Sequence, residues 1–95
     1  MTDQSDRAGL PPGIPEARAE IDRIDAEIVR LLSVRLAIVV RAFQIKRAVG
    51  MPLLDDERED QILENVVERA TELDVPRKQV RKIFRQILKI SEKAQ

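Results

Sequence analysis

The stretch EARAEIDRIDAEIVRLLSVRLAIVVRAFQIKRAV, residues 16–49, contains neither proline nor glycine. Its apolar residues recur at alternating steps of four and three, which is the pattern of an amphipathic helix with a heptad seam. This pattern predicts a single helix about 50 Å long. The seam carries one charge, that of Arg35, and its members are Ala17, Ile21, Ile24, Ile28, Leu31, Arg35, Ile38, Ala42, Ile45 and Val49.

The segments on either side of this helix complete an all-α plan. Residues 1–15, MTDQSDRAGLPPGIP, mix small polar residues with proline and glycine, and we expect a disordered N-terminal arm there. The tripeptide GMP at 50–52 predicts a turn, after which a second helix is expected from about Asp55 to Leu73. Residues 16–95 are therefore expected to form one domain of three helices, the first about twice as long as the others.

The tripeptide DVP, residues 74–76, separates the second helix from a third helix that we expect to reach the end of the chain. Proline is tolerated in the first turn of a helix because its missing N–H has no helical acceptor there. We therefore expect Asp74 or Val75 to cap the third helix and Pro76 to lie in its first turn.

The composition excludes several classes of function. The chain has 95 residues, is 43% hydrophobic and 36% charged, and suits one small folded domain whose limited core favours oligomerisation. Its formal charge of zero disfavours binding to nucleic acid or to an anionic membrane. The absence of Cys and His excludes disulfides, the usual zinc sites and imidazole catalysis, so we expect neither cofactor nor metal. Without a membrane-spanning apolar run or a signal-peptide pattern, the cytoplasm is the expected location.

Two cations lie on one apolar face of the first helix. Arg35 and Lys46 are three turns apart, about 16 Å along the axis. One interpretation is that both lay their methylene groups on the seam and keep their charges in water. Because two such residues point to the same side, a buried site for an anion is the better explanation.

The second helix places a carboxylate among its apolar residues. Glu59 projects onto the middle of the apolar face, where an unpaired carboxylate is costly, and Arg58 lies at the edge of that face. Asp55 and Asp56 both fall within the face, and helical geometry does not choose between them. Stabilisation of the helix N-terminus explains the neighbouring acids adequately, but it explains Glu59 poorly.

On the third helix, Ser91 and Gln95 extend the apolar face with two neutral hydrogen-bonding groups. Each helix thus places polar side chains on an apolar face that is expected to be buried away from water. Together they predict a pocket for a small molecule that bears carboxylates and a hydroxyl group.

With these positions, the chain resembles the all-helical chorismate mutases in their bacterial form. The motif set is an Arg early in helix one, an Arg and a Lys further along it, a D-x-x-R-E block that opens helix two, and a Ser and a Gln late in helix three. The spacings match without gaps, the resemblance covers residues 16–95, and it favours Asp55 over Asp56. The matching residues are Arg18, Arg35, Lys46, Asp55, Arg58, Glu59, Ser91 and Gln95.

The resemblance implies an intertwined homodimer of six helices with two equivalent active sites, in which Arg18 reaches the site of the other subunit. The spacing agrees with this arrangement. Arg18 lies 17 residues before Arg35, about 100° around the helix, so the two side chains do not face one pocket on their own helix.

The resemblance also implies an isomerase of aromatic amino acid biosynthesis by the shikimate pathway. Its reaction would be the Claisen [3,3] rearrangement of chorismate to prephenate, which needs no nucleophile, metal or proton relay. The enzyme would hold the compact substrate conformer and stabilise the breaking ether. The implied roles are carboxylate binding by Arg35, Arg18 of the partner subunit, Arg58 and Ser91, donation to the ether oxygen by Lys46 and Gln95, and acceptance from the ring hydroxyl by Asp55 and Glu59.

Several alternatives remain open. A mutase of 4-amino-4-deoxychorismate in an antibiotic pathway would use the same residues, because two acids suit an ammonium group. Isochorismate pyruvate lyase matches the D-x-x-R-E block less well, and a weak mutase that a larger partner enzyme activates is a further candidate. A catalytically silent helical interaction module agrees with the heptads but leaves Arg35, Lys46 and Glu59 unexplained.

Overall fold

The computed structural model describes residues 9–95, which form three α-helices and no strand. Helix α1 spans Ile14–Val49, α2 spans Asp56–Glu72 and α3 spans Arg77–Glu92. The predicted all-α plan of one long and two shorter helices is confirmed. Residues 1–8 of the predicted N-terminal arm lie outside the described residues, and the disorder of that arm stays a prediction.

Helix α1 begins two residues before its predicted start. The carbonyl of Gly13 accepts from the amide of Ala17 at 3.0 Å, so the helical bonding starts there and Ile14 is the first helical residue. Pro15 lies in the first turn, where its missing N–H leaves no helical acceptor unsatisfied. The proline that suggested an irregular arm is therefore part of the helix start.

Helix α1 ends at a glycine in the left-handed conformation. Gly50 has φ +74, its amide donates to the carbonyl of Arg47, and the amide of Met51 donates to the carbonyl of Lys46 at 2.8 Å. These two bonds close a Schellman motif, which satisfies the last carbonyls of the helix. Glycine takes this φ without strain, so the predicted turn at 50–52 has a physical cause.

Helix α2 ends in the same way, and this overturns the predicted start of α3. Asp74 has φ +56, and the amide of Val75 donates to the carbonyl of Ala70 at 2.9 Å. Asp74 and Val75 thus terminate α2 instead of capping α3. The N-cap of α3 is Pro76, with no side-chain hydrogen bond, and Arg77 is the first helical residue. The prediction was wrong because it considered only the start of α3 and overlooked the open carbonyls at the end of α2.

Helix α3 stops three residues before the end of the chain. The amide of Ala94 donates to the carbonyl of Ser91 at 3.0 Å, and that of Gln95 to the carbonyl of Glu92 at 3.2 Å. Such bonds to the third residue back are typical of a fraying helix end. The expected continuous helix therefore gives way to a turn after Glu92.

The described chain divides into two compact units, residues 9–34 and residues 35–95. In residues 35–95, α2 packs along α3. The buried apolar side chains of this unit are Phe43, Leu63, Ala70 and Leu88.

Residues 9–34 contain no buried side chain. Of the eight large apolar residues in this part of α1, Leu32 is half-buried and the other seven are between 38% and 65% exposed: Ile14, Ile21, Ile24, Ile28, Val29, Leu31 and Val34. No helix among the described residues is long and apolar enough to span a membrane.

Candidate active site

The unit of residues 35–95 contains a cavity of about 530 Å³, which we call the main cavity. This volume is within the range of small-molecule sites. Its walls are mostly apolar, with Ile38, Phe43 and Leu88 among them. Six of the eight predicted site residues line it, and they are Arg35, Lys46, Asp55, Arg58, Glu59 and Ser91.

Arg35 is held in the main cavity by the hydroxyl group of Ser91. The guanidinium Nη1 of Arg35 donates to Ser91 Oγ at 2.6 Å, and Ser91 Oγ donates to the carbonyl of Ile87 at 3.1 Å. Ser91 is buried, at 9% exposure, and both bonds are partly buried. The serine therefore fixes the orientation of the cation without neutralising it.

Lys46 is held by neutral groups only. Its Nζ donates to the carbonyl of Leu53 at 3.2 Å and lies 5.9 Å from the ring centroid of Phe43. The carbonyl and the aromatic ring both stabilise a cation, and neither cancels its charge. The ammonium group thus keeps the capacity to donate to a further acceptor in the cavity.

Neither cation has a carboxylate partner among residues 9–95. The ion pairs of α1 and α2 that are resolved there, Glu27–Arg30 and Arg69–Glu72, lie on exposed helix surfaces. Burial, and then the charge of Arg58, lower the pKa of the Arg35 guanidinium. A bound anion would offset both effects, because it would supply the missing opposite charge.

The start of α2 supplies the acidic side of the main cavity. Asp55 is the N-cap of α2, and its Oδ1 accepts from the amide of Arg58 at 3.1 Å. Asp55 lines the main cavity and Asp56 does not. Helical geometry left the choice between these two acids open. Of the two, Asp55 is the one that lies at the main cavity, and its bond to the Arg58 amide fixes it at the N-terminus of α2.

Glu59 and Arg58 differ in burial. Glu59 is partly buried, whereas Arg58 is exposed and donates through Nη1 to Gln61 Oε1 at 2.7 Å. Burial and the neighbouring carboxyl group of Glu92 raise the pKa of Glu59 above its ordinary value. The acid predicted to point inward therefore lies in an environment that disfavours its charge.

Glu92 lines the main cavity and was missed from the sequence. It is partly buried, and its carboxyl group is one of the causes of the raised pKa of Glu59. The signal that could have found it is its position one helical turn after Leu88, at a step of four from a core residue. The sequence argument followed the alternative step of three, to Ser91.

The structure does not bring Gln95 or Arg18 into the lining of the main cavity. Gln95 is exposed, and its backbone carbonyl accepts from the guanidinium of Arg47. Arg18 is an exposed residue of the other unit, residues 9–34. Their roles at the site stay predictions.

The main cavity thus presents three cations, those of Arg35, Lys46 and the exposed Arg58, with a hydroxyl group and carboxyl groups on apolar walls. These groups can bind a compact molecule with an anionic part and a hydroxyl or amino part, and they can stabilise negative charge that develops near Lys46. Within residues 9–95, no cluster of acidic side chains has the arrangement of a metal site.

Comparison with known proteins agrees with this geometry. A family model described as chorismate mutase type II matches residues 17–95. The chain is also similar to a bifunctional chorismate mutase/prephenate dehydratase of Aquifex aeolicus (strain VF5), with 43% identity over 54 residues. That match covers 57% of this chain and 15% of the relative, so the chain spans only a small part of the relative's length. No solved structure matches the chain. Because the family model covers nearly all of the described chain, the resemblance and the assignment to an enzyme family are confirmed, and the chain belongs to the chorismate mutase type II family.

Proposed function

We propose that this protein is a chorismate mutase that converts chorismate to prephenate. The observation that carries the proposal is the pair of cations in the main cavity, Arg35 and Lys46, neither of which has a carboxylate partner among residues 9–95. Chorismate has two carboxylates and an ether oxygen that gains negative charge as its bond breaks. Both cations therefore have acceptors in this substrate.

The residues of the main cavity suit a reaction that is intramolecular. Arg35, oriented by Ser91, would bind one carboxylate and hold the substrate in its compact conformer. Lys46 would donate to the ether oxygen, and Glu59 and Asp55 would accept from the ring hydroxyl group. Hydrogen bonds to charged groups contribute roughly 1.5–3 kcal/mol each. A few such bonds that strengthen as the ether breaks are enough for a substantial acceleration.

The second carboxylate would be bound by Arg18 of the partner subunit in an intertwined homodimer. The apolar seam of residues 14–34 supports a second copy as its cover, because large side chains such as Ile24 and Ile28 are 59% and 52% exposed in the single chain. A homodimer of six helices would bury both seams and would complete each site with a residue from the other chain.

The side chain of Gln95 would give a second donor to the ether oxygen if the end of the chain folded against the main cavity. In the structure Gln95 is exposed, in the turn after α3. We propose that substrate, or a larger enzyme of aromatic amino acid biosynthesis that binds this protein, brings it into place. The expected cytoplasmic location belongs to the same proposal.

A mutase of 4-amino-4-deoxychorismate is the second candidate. Glu92, in addition to Asp55 and Glu59, makes this part of the cavity more acidic than a hydroxyl group requires. An ammonium group in place of the hydroxyl would donate to several of these carboxylates.

The test is an assay of the purified protein with chorismate, isochorismate and 4-amino-4-deoxychorismate, each supplied alone, with identification of the products. Prephenate from chorismate as the preferred substrate is expected. A preference for the amino compound would favour the second candidate, and pyruvate with salicylate from isochorismate would identify a lyase. A folded dimer that turns over none of the three, alone or together with the larger enzyme that would bring Gln95 into place, would contradict the proposal and favour an interaction module.

A further inference from the structure

Glu59 and Glu92 share one wall of the main cavity. A second cavity of about 460 Å³ lies between α2 and α3, and the residues common to both cavities are Glu59, Leu88 and Glu92. Both glutamate side chains therefore lie where the two cavities adjoin, one supplied by α2 and the other by α3. The resemblance gave a role to Glu59 and none to Glu92.

Both side chains line the same two cavities, and the carboxyl group of Glu92 is among the causes that raise the pKa of Glu59. Two ionised carboxylates have only acceptors, so a hydrogen bond can join the two groups only when one of them holds a proton. Burial is the largest effect that raises the pKa of Glu59, followed by the bond to Glu92 and its charge, and then by Asp56 and Asp60. The pair therefore takes up a proton at a higher pH than an isolated glutamate would.

Charged groups on all three helices surround the pair. Helix α1 contributes Arg35 and Lys46 to the main cavity, and α2 contributes Asp55 and Arg58. The second cavity is lined on α3 by Lys82, Arg85 and Lys89, and on α2 by Asp60. None of these cations forms an ion pair with Glu59 or Glu92 among residues 9–95.

We propose that Glu92 is a positioning residue that acts through Glu59, because its carboxyl group pairs with that of Glu59 on the cavity wall and so sets the acid limit of substrate binding. This inference rests on the proposed function. Glu59 must be a carboxylate with a free lone pair to accept from the ring hydroxyl of the substrate. When the pair takes up its proton, Glu59 shares or loses its negative charge and becomes a weaker acceptor for the ring hydroxyl, so the substrate binds less tightly.

The direction in which the acid limb of the kcat/KM profile moves follows from the negative charge that Glu92 shares with Glu59. In the wild type, kcat/KM falls as the pH is lowered through the raised pKa of the pair, and the change lies in KM more than in kcat. In Glu92→Gln the neighbouring charge is absent and the amide donates to the Glu59 carboxylate. The pKa of Glu59 is then lower, and the acid limb of the profile moves to lower pH.

The first experiment measures kcat and KM from about pH 4 to pH 8 for wild type, Glu92→Gln, Glu92→Val and Glu64→Gln. Glu64 is an exposed acid of α2 that lines neither cavity, so its variant controls for the loss of one negative charge. On the acid limb we expect kcat/KM of Glu92→Gln to exceed that of the wild type by about threefold or more, which corresponds to a shift of about half a pH unit. Glu92→Val removes the same charge but supplies no donor to Glu59, so its acid limb should move in the same direction by less than that of Glu92→Gln.

An unchanged acid limb in Glu92→Gln would overturn the inference. So would a fall of kcat/KM by the same factor at all pH values in both Glu92 variants, because that is the result of a merely structural role. A shift of the same size in Glu64→Gln would assign the effect to general charge instead of the pair.

A second experiment separates this inference from the proposed function. The carboxyl carbon of Glu59 is titrated by NMR without substrate in wild type and in Glu92→Gln. A lower pKa in the variant confirms the pair even if none of the three substrates is converted. An identical titration overturns it even if chorismate is a good substrate.

Discussion

The two parts of α1 have the same heptad seam but different surroundings. In residues 35–49, Phe43 is 7% exposed, and Arg35 and Lys46 are partly buried at the main cavity. In residues 14–34, the seam residues Ile21 and Ile24 are 55% and 59% exposed. Only the second part of α1 thus has a face that is covered within its own chain, and this face lies beside the seam, because the seam residues Ile38 and Ile45 are still 50% and 60% exposed. An apolar periodicity predicts that a face will be covered, and it does not say by which chain.

The largest expected effect is at Lys46, in the covered part. Lys46→Ala should lower kcat by roughly 10²–10³, because it removes a donor to the oxygen where charge develops. KM should change less, since the partner is most charged in the transition state. The control is Arg41→Ala, an exposed cation of the same helix that does not line the main cavity. Near-normal turnover of a folded Lys46→Ala protein would contradict the mechanism.

A second prediction tests whether Arg18, in the first part of α1, acts in the site of the other subunit beside Arg35, in the second part. Arg18→Ala and Arg35→Ala should each lower kcat/KM by roughly 10–100-fold, which is the loss of one charge-assisted hydrogen bond or two. If Arg18 acts across the interface, a mixture refolded together contains heterodimers with one intact site.

Equal amounts of the two variants should then recover about a quarter of wild-type activity, because half of the dimers are mixed and one of their two sites is complete. The separately refolded variants, combined afterwards without exchange of subunits, are the control. If refolding together restores nothing, Arg18 does not act in the site of the other subunit.

A third prediction tests the uncovered seam directly. Ile28→Glu should weaken dimer association at least about tenfold, since a carboxylate would be buried without a partner. Val29→Glu is the matched control, because Val29 is on the same turn and 65% exposed but lies outside the seam. Sedimentation velocity at several protein concentrations measures both. Equal effects at the two positions would show that the seam is not the interface.

The smallest expected effect concerns Asp55, which has a structural and a proposed binding role. Asp55→Ala removes the cap of α2 and should lower the free energy of unfolding by about 1 kcal/mol. Asp55→Asn keeps the cap and should cost clearly less. Urea denaturation gives this difference, while KM should rise in both variants because the carboxylate is lost. A KM that rises only in Asp55→Ala would assign Asp55 to helix capping alone.

The helices and the main cavity were predictable from the sequence because each rests on a regular pattern. Arg35, Lys46 and Glu59 interrupt apolar helix faces. Because a buried charge is costly, such a residue can be identified as a candidate site residue before the fold is known. The D-x-x-R-E block added Asp55, whose position depends on where α2 begins.

The wrong prediction for the start of α3 and the missed residue Glu92 both concern places where two helices follow or contact each other. The conformation of Asp74 is set by the open carbonyls at the end of α2, which an argument about the start of α3 does not consider. Glu92 became a candidate only when α3 lay against α2 and brought it to Glu59. The role of Gln95 stays a prediction, because its place depends on how far α3 continues and helix ends are the least regular part of any pattern.

The hydroxyl group of Ser91 has one proton, and it is directed to the carbonyl of Ile87. It can therefore offer only a lone pair to Arg35, and it has nothing to donate to a substrate carboxylate. Binding such a carboxylate through Ser91 requires the hydroxyl to rotate and release the Ile87 carbonyl. The serine would then have two orientations, one that donates to a backbone carbonyl and one that donates to a substrate oxygen.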